Sequence, residues 1–312
     1  MQNNSQTITV EIMGGLGNQL FQMFTCLGYS LRHKIPFYFP AEPIQHGERK
    51  KTYWHTPLLQ TLQPFIKAAT PSLTYNERQF HYQALPPPPP SPIKFFGYFQ
   101  SYNYFQDQQD AIFRLIRLRE SQQTMREKTE QQKSSRHHDY DYANTIAVHF
   151  RVGDYKNLPN HHPLMTLEYY TEALKQLLAD TSTSAGTQAN EQKTKLNILY
   201  FCEEADEAYI QKQMILPLKT NSLFENKIGT VQCINHKLED WEQLLVMSLC
   251  RHHIIANSTF SWWGAYLADN NSSTKPNPTD HKVYYPTTWF GTAMGNKNMT
   301  DMFPSDWHRI NV

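Results

Sequence analysis

Thr145-Ile146-Ala147-Val148-His149-Phe150-Arg151-Val152-Gly153-Asp154-Tyr155 begins as a short apolar, β-branched run and turns abruptly to a cation, a glycine and a carboxylate. A buried strand that ends in reactive groups is how α/β proteins place chemistry at strand C-terminal ends. Arg151 can offer a planar, permanently charged fork to an anionic oxygen there, and the phosphate of a nucleotide donor is the natural partner. The same residues also fit a surface loop closed by an Arg151–Asp154 ion pair, so their meaning depends on the rest of the chain.

Two other stretches tip the reading. Thr7-Ile8-Thr9-Val10-Glu11-Ile12 alternates like a strand and runs into Met13-Gly14-Gly15-Leu16-Gly17-Asn18-Gln19, after which Leu20, Phe21, Phe24 and Leu27 recur at helical spacing. Gly15 and Gly17 let the backbone turn and approach a ligand at a helix N-terminus, where Asn18 and Gln19 can bond sugar hydroxyls or cap the helix. A dinucleotide fingerprint is disfavoured, because Leu20 stands where the third glycine belongs and no acid follows at the expected distance. Farther on, His253 to Ala256 reads as a strand and Asn257-Ser258-Thr259-Phe260-Ser261 as a hydroxyl-rich turn opening another helix, a second cradle for phosphate. Leu196 to Phe201 is a further buried strand, ending in Cys202-Glu203-Glu204-Ala205-Asp206. Glu203 and Glu204 can accept the paired N–H donors of guanine, or the acids can simply suit a helix N-terminus.

Composition sets the limits. A chain of 312 residues exceeds what one core usually supports, which predicts two lobes sharing a cleft. A formal charge of +1 gives no broad basic field for nucleic acid, while 13% aromatic residues supply rings for packing and sugar stacking. No apolar run approaches the roughly 20 residues of a membrane span, and Met1 to Val10 lacks the blocks of a signal peptide, so a cytoplasmic protein is expected. Cys26, Cys202, Cys233 and Cys250 show no C-x-x-C spacing and read as small buried hydrophobes. Pro86 to Pro90 forms a stiff spacer, Phe95 to Phe105 an aromatic cluster destined mostly for the core, and Asp110 to Arg119 a helix. The polar stretch from Glu120 to Tyr142 marks the lobe boundary, giving lobes at residues 1–138 and 139–312. Helices are also expected over Leu167–Leu178 and Glu239–Leu249, with a polar loop from Asp180 to Lys195.

Taken in order, Gly14-Gly15-Leu16-Gly17-Asn18-Gln19-Leu20-Phe21-Gln22, Phe99-Gln100-Ser101, His149-Phe150-Arg151-Val152-Gly153-Asp154-Tyr155 and Asn257-Ser258-Thr259-Phe260-Ser261-Trp262-Trp263-Gly264 resemble the bacterial α-1,2-fucosyltransferases across nearly the whole chain. The resemblance implies an α/β, GT-B-like fold of two Rossmann-type lobes facing across a cleft, the N-terminal one on the acceptor side and the C-terminal one binding the donor. It implies GDP-β-L-fucose as donor, inversion at the anomeric carbon, no cofactor and no metal. The acceptor would be the 2-hydroxyl of a terminal β-galactoside, in the synthesis of a surface glycan such as lipopolysaccharide or O-antigen or of an oligosaccharide, by a protein that is cytoplasmic or in peripheral contact with the inner membrane. Position by position, Arg151 and the Ser258–Ser261 loop would hold the pyrophosphate and Asn18 would lie near the fucose. Cys202-Glu203-Glu204 departs from the Ser-Asp-Asp more often found in the family, which leaves guanine recognition there open.

Catalysis by this route needs fixed positive charge at the departing phosphates and an acceptor for the hydroxyl proton. Asp154, His161 and His162 are the candidates, with Asp154 slightly preferred for its place beside Arg151, and His149 reads as a hydrogen-bonding neighbour of the strand. The departing phosphate could also take the proton. Ligand sets for a metal are not compact in the sequence, His137-His138-Asp139 being the nearest imitation. Two rival classes share these features: a nonenzymatic glycan or nucleotide-sugar binder, and an NAD-dependent oxidoreductase using the glycine loop.

Overall fold

The computed structural model of the protein describes residues 6–41, 51–68, 71, 73–131, 140–184, 195–268 and 281–312. The chain forms two compact units, Met1–Gln123 with Lys297–Ser305, and Thr124–Asn296 with Asp306–Val312. It therefore passes from one unit to the other three times, near residues 123, 296 and 305. His137, His138 and Asp139, and with them the expected boundary, lie outside the described residues.

In the first unit β1 (Ile8–Val10) is wholly buried and leads through the glycine turn into α1 (Leu16–His33). Leu20, Phe21, Phe24 and Leu27 line the buried side of α1, as their spacing predicts. The helix ends where Lys34 takes a left-handed conformation (φ 55°) and returns its N–H to the Ser30 carbonyl. β2 (Phe39–Pro40) pairs in parallel with β3 (Ile66–Lys67), while β4 (Leu73–Asn76) and β5 (Ile93–Phe96) extend the sheet on the other side of β1. A single bridge, Ile8 to Phe37, links the two groups. The aromatic cluster after β5 goes mainly to the core: Phe95, Phe99, Tyr104 and Phe105 are buried, and Phe105 meets Phe24 edge-on at 5.5 Å. Tyr98 alone of that run's large rings is strongly exposed, at 42%. The proline run is tied down by Tyr29, whose hydroxyl donates to the Pro86 carbonyl at 2.7 Å. α2 (Gln109–Leu115) is separated from α3 (Leu118–Gln131) by Arg117 in a left-handed conformation (φ 50°), so the polar segment after Glu120 continues as helix as far as it is described. The units divide within α3.

The second unit is a doubly wound α/β unit. Its elements are β6 (Thr145–His149), α4 (Leu167–Ser184), β7 (Leu196–Phe201), α5 (Glu207–Ile210), α6 (Leu216–Thr220), β8 (Ile228–Cys233), α7 (Asp240–Leu249), β9 (His252–Ile254), α8 (Thr259–Tyr266), β10 (Val283–Pro286) and β11 (His308–Ile310). All pairings are parallel, in the order β11-β10-β9-β6-β7-β8. Counted from β6 as strand 1, this is the 3-2-1-4-5-6 order of nucleotide-binding sheets. β6 and β7 are almost continuously buried because helices cover both faces, which is why they read as apolar runs without alternation. Several boundaries move against the sequence reading. The helix from Leu167 continues to Ser184, since Tyr170, Leu174, Leu177 and Leu178 are followed by helix-compatible residues and no breaker. The strand expected at His253–Ala256 is paired only over His252–Ile254.

Gly28 lies in α1, where an added Cβ would sit 2.9 Å from the Tyr104 carbonyl oxygen and 3.0 Å from Phe105 Cα. Alanine gains about 1 kcal/mol of helix propensity over glycine, but overpacking against backbone costs about 1–3 kcal/mol. Gly28→Ala is expected to lower stability by about 1 kcal/mol in urea denaturation; a variant more stable than the parent would show that the 104–105 turn yields freely.

Candidate active site

At the C-terminal edge of the second sheet, β6 and β9 are neighbours, with Val148 opposite Ile254. The chain leaves these two strands toward opposite faces, at the point where strand order reverses, the usual ligand position in such sheets. The Arg151 loop follows β6 and the Asn257–Ser261 loop follows β9. The Tyr155 hydroxyl closes one onto the other by donating to the Asn257 carbonyl at 3.2 Å.

Arg151 lies largely shielded, its side chain 13% exposed, against partners that are half in solvent. One arm of its guanidinium donates to Asp154 and the other to Glu203. Its flat face covers the Tyr155 ring at 4.9 Å, and the His162 imidazole stacks near-parallel to that ring at 4.6 Å, their planes 17° apart. Arg151, Tyr155 and His162 therefore form a layered group, with Asp154 at one end of the fork. Tyr155 was not singled out from the sequence, although an aromatic four residues after an arginine on one turn is the signal that would have found it.

The turn itself is held from below. Gly153 has φ +30°, a conformation in which any other residue is strained, and a Cβ there would come within 2.7 Å of the Glu203 carboxylate and displace it. Its N–H donates to Asp206 Oδ2 at 2.6 Å, and Lys156 donates to Asp206 Oδ1 at 2.5 Å. Asp206 is buried and spent on this support, whereas Glu203 and Glu204 remain exposed. His161 is exposed, but its backbone is fixed: its carbonyl accepts from Gly291 N–H at 2.8 Å. His162 is half-buried and its pKa is lowered, first by burial, against the opposing pull of Asp154, so its imidazole is neutral near pH 7.

In the second loop Ser258 caps α8, its hydroxyl accepting from Phe260 N–H at 3.3 Å. The Ser261 hydroxyl donates to the Ala256 and Ser258 carbonyls at 3.4 and 3.3 Å. Asn257 is buried and its amide donates to the carbonyls of Pro163 at 2.9 Å and Trp289 at 3.2 Å, so it ties three segments together. Thr259 and Phe260 are half-buried at the positive end of the helix. Phe260 also packs against His149, ring to ring at 5.6 Å. His149 is buried, its Nδ1 has no hydrogen-bond partner among the described residues, and burial followed by the Arg151 charge pushes its pKa down to about 3.

Gly15, Gly17 and Asn18 belong to the first unit. Gly15 is the N-cap of α1 and contributes no side chain, while Gln19 donates to the Gly14 and Lys51 carbonyls at 2.9 and 2.8 Å and so holds the turn. Asn18 accepts from Gln100 Nε2 at 2.9 Å, which joins the glycine turn after β1 to the Phe99-Gln100-Ser101 segment after β5. β1 and β5 are adjacent strands, so this unit also gathers polar groups at one sheet edge.

Residues 76–287 match the family model for glycosyl transferase family 11. The chain belongs to glycosyl transferase family 11. The matched stretch contains every site residue of the second unit and starts beyond the Gly15–Asn18 turn. As a family 11 glycosyltransferase the protein is 22% identical to the Escherichia coli protein named alpha-1,2-colitosyltransferase, over 97% of this chain and 98% of that one. It is 28% identical to the E. coli O-antigen biosynthesis glycosyltransferase WbnK over 51% of this chain and 43% of that one. Among solved structures it is similar to a mutant of Arabidopsis thaliana FUT1 in complex with GDP, at 10% identity and a TM-score of 0.44, covering 91% of this chain and 71% of that chain. No helix among the described residues is long and apolar enough to cross a membrane.

One group of this glycosyltransferase escaped the sequence reading. Cys202, Cys233 and His236 converge beyond the ends of β7 and β8, with their ligand-type atoms within 4.8 Å of one another. The lack of a compact ligand set holds for the sequence and not for the fold; Cys233-x-x-His236 was the available signal.

His149 generates a pH prediction. The unfolded chain takes up this proton near pH 6.5, whereas the folded protein refuses it until about pH 3. Below pH 6.5 the unfolded state therefore binds more protons, and stability falls as pH drops through this window, with a limiting slope of about 1.4 kcal/mol per pH unit for one proton. Between pH 7 and 5 the parent should lose more stability in urea than His149→Gln does; parallel losses would show that His149 is protonated at little cost.

Proposed function

We propose that this glycosyltransferase moves L-fucose from GDP-β-L-fucose to the 2-hydroxyl of a terminal β-galactoside, with inversion, in the assembly of a surface glycan such as O-antigen. The observation that carries this reading is the meeting, at the switch point of the second unit, of a shielded arginine fork and a helix N-terminus lined by Ser258 and Thr259. Both favour a diphosphate. The α-1,2 linkage and the glycan setting take support from the names of the two E. coli relatives and from the resemblance of the four sequence blocks.

As the bond from fucose to phosphate breaks, negative charge grows on GDP. Arg151 and the first-turn N–H groups of α8 stabilise that charge in the transition state more than in the ground state, with no need for a metal at the phosphates. Asp154 and Glu203 hold the guanidinium pre-aimed, and the pyrophosphate exchanges with Glu203 for one arm of the fork while Asp154 keeps the other. The acceptor oxygen forms its bond to the anomeric carbon from the face opposite the phosphate, which gives inversion. We assign its proton to His162, a neutral imidazole beside Asp154; Asp154, engaged by Arg151, orients the fork.

A second reading follows from the relative that spans almost the full length of both chains: a colitosyl donor, which lacks the 3-hydroxyl of L-fucose. Supplying GDP-fucose and GDP-colitose in parallel with lactose, and following GDP release and the linkage formed, decides between them. A site that hydrogen-bonds the 3-hydroxyl discriminates by up to roughly 10⁴-fold. Release of GDP from neither donor would reject both, and Mg2+ or Mn2+ at millimolar concentration should leave the rate unchanged.

Arg151→Ala is expected to lose about 3–4 kcal/mol of transition-state stabilisation, several hundredfold in kcat/KM, with the fold intact; Arg151→Lys should recover little, since it keeps the charge and loses the fork. Turnover of Arg151→Ala near the parent rate would sink the phosphate assignment. For the proton acceptor, His162→Ala should lower transfer by about 10²–10⁴-fold with donor affinity unchanged, whereas Asp154→Asn should weaken donor binding and His161→Ala should do little. Full transfer by His162→Ala would move the proton to Asp154 or to the leaving phosphate.

A further inference from the structure

Cys202 directly follows β7, Cys233 ends β8 on the sheet edge, and His236 lies three residues beyond Cys233. The two thiol sulfurs and a ring nitrogen of His236 lie within 4.8 Å of one another. His236 Nε2 lies 3.4 Å from Cys233 Sγ and 3.1 Å from Glu207 Oε2 at the start of α5. A tetrahedral zinc ion with Zn–S near 2.3 Å and Zn–N near 2.0 Å requires ligand-to-ligand separations of roughly 3.4–3.8 Å. The Cys233–His236 separation already meets this, and the widest separation in the group, within 4.8 Å, closes by about 1 Å with side-chain rotation. Cys202 is buried and the other two residues are half-buried, so the pocket is shielded yet reachable.

We propose that Cys202, Cys233 and His236, with Glu207 as fourth ligand, bind Zn2+ or a similarly thiophilic divalent ion. Two thiolates, an imidazole and a carboxylate form a soft ligand set suited to zinc and poorly suited to magnesium or manganese. The ion would be structural: all four positions are taken by protein, which leaves none for substrate. It would join the ends of β7 and β8 to α5 and fix the segment that starts at Cys202 and carries Glu203 and Asp206, the two acids that engage Arg151 and support Gly153. The site is independent of the identity of the donor sugar.

The test uses the full-length protein, reduced and stripped of metal. Titration with Co2+ should give d–d bands near 600–700 nm and a thiolate-to-cobalt charge-transfer band in the near ultraviolet at one ion per chain, and Zn2+ should abolish both. At about a hundredfold excess over its Kd, Zn2+ should raise Tm by roughly 5–10 °C. Cys233→Ser and His236→Ala should lose the charge-transfer intensity or the tight binding, while Glu207→Gln, the mildest change, should keep the sulfur band and weaken affinity about tenfold or more. Failure of the reduced parent to bind either ion overturns the proposal, as does undiminished binding when both Cys202 and Cys233 are serine. Recovery of a Cys202–Cys233 disulfide from protein saturated with Zn2+ would also overturn it, because one pair of sulfurs cannot serve both purposes.

Discussion

The parallel pairing of β6 with β9 is the constraint from which the second unit's chemistry follows. Both crossovers in a sheet of L-residues are right-handed, so a chain that builds strands outward on one side of β6 and then returns to build on the other must leave these adjacent strands in opposite directions. Two loops distant in the sequence thereby become neighbours, and the Tyr155 hydroxyl bonds the Asn257 carbonyl between them. Arg151 and the Ser258–Ser261 turn, far apart in the sequence, are thereby brought to the same edge of the sheet.

What keeps the arginine ready is a balance of neighbours and not a single partner. Tyr155 supplies a flat surface beneath the guanidinium, Asp154 and Glu203 hold its two arms, and buried Asp206 fixes the turn from which the loop departs. The two layers differ in strength. Asp154 and Glu203 are about half exposed, where an ion pair is worth at most about 1 kcal/mol and opens at little cost. Asp206 is buried with both oxygens engaged, so its contacts are expensive to break. Opening is thus confined to the surface of the loop while its base stays in place.

The sequence made the central strands legible because burial on both faces leaves an unmistakable apolar run, as in Thr145–Val148 and Leu196–Phe201. The chemistry-bearing turns were legible because residues unsuited to a strand follow at once. β10 and β11 escaped notice: three or four residues such as His308–Ile310 show no period, and their pairing is decided by neighbours far along the chain. Asp206 was open between base recognition and helix capping, since only the fold brings it beneath Gly153. The same applies to Cys202, Cys233 and His236, whose separation in sequence conceals their approach.

The three passages of the chain between units bear on how the protein is made. Tyr82 N–H bonds the Asp301 carboxylate, and the Ser101 hydroxyl bonds the Asp301 carbonyl, across sequence separations of 219 and 200 residues. On a ribosome adding about 5–20 residues per second, those groups wait roughly 10–40 s before their partner exists. The amino-terminal unit therefore completes these contacts only after most of the carboxy-terminal one has been synthesised. A nascent chain released short of residue 301 would leave both units unfinished, the first without its last segment and the second without the strand His308–Ile310 at its sheet edge.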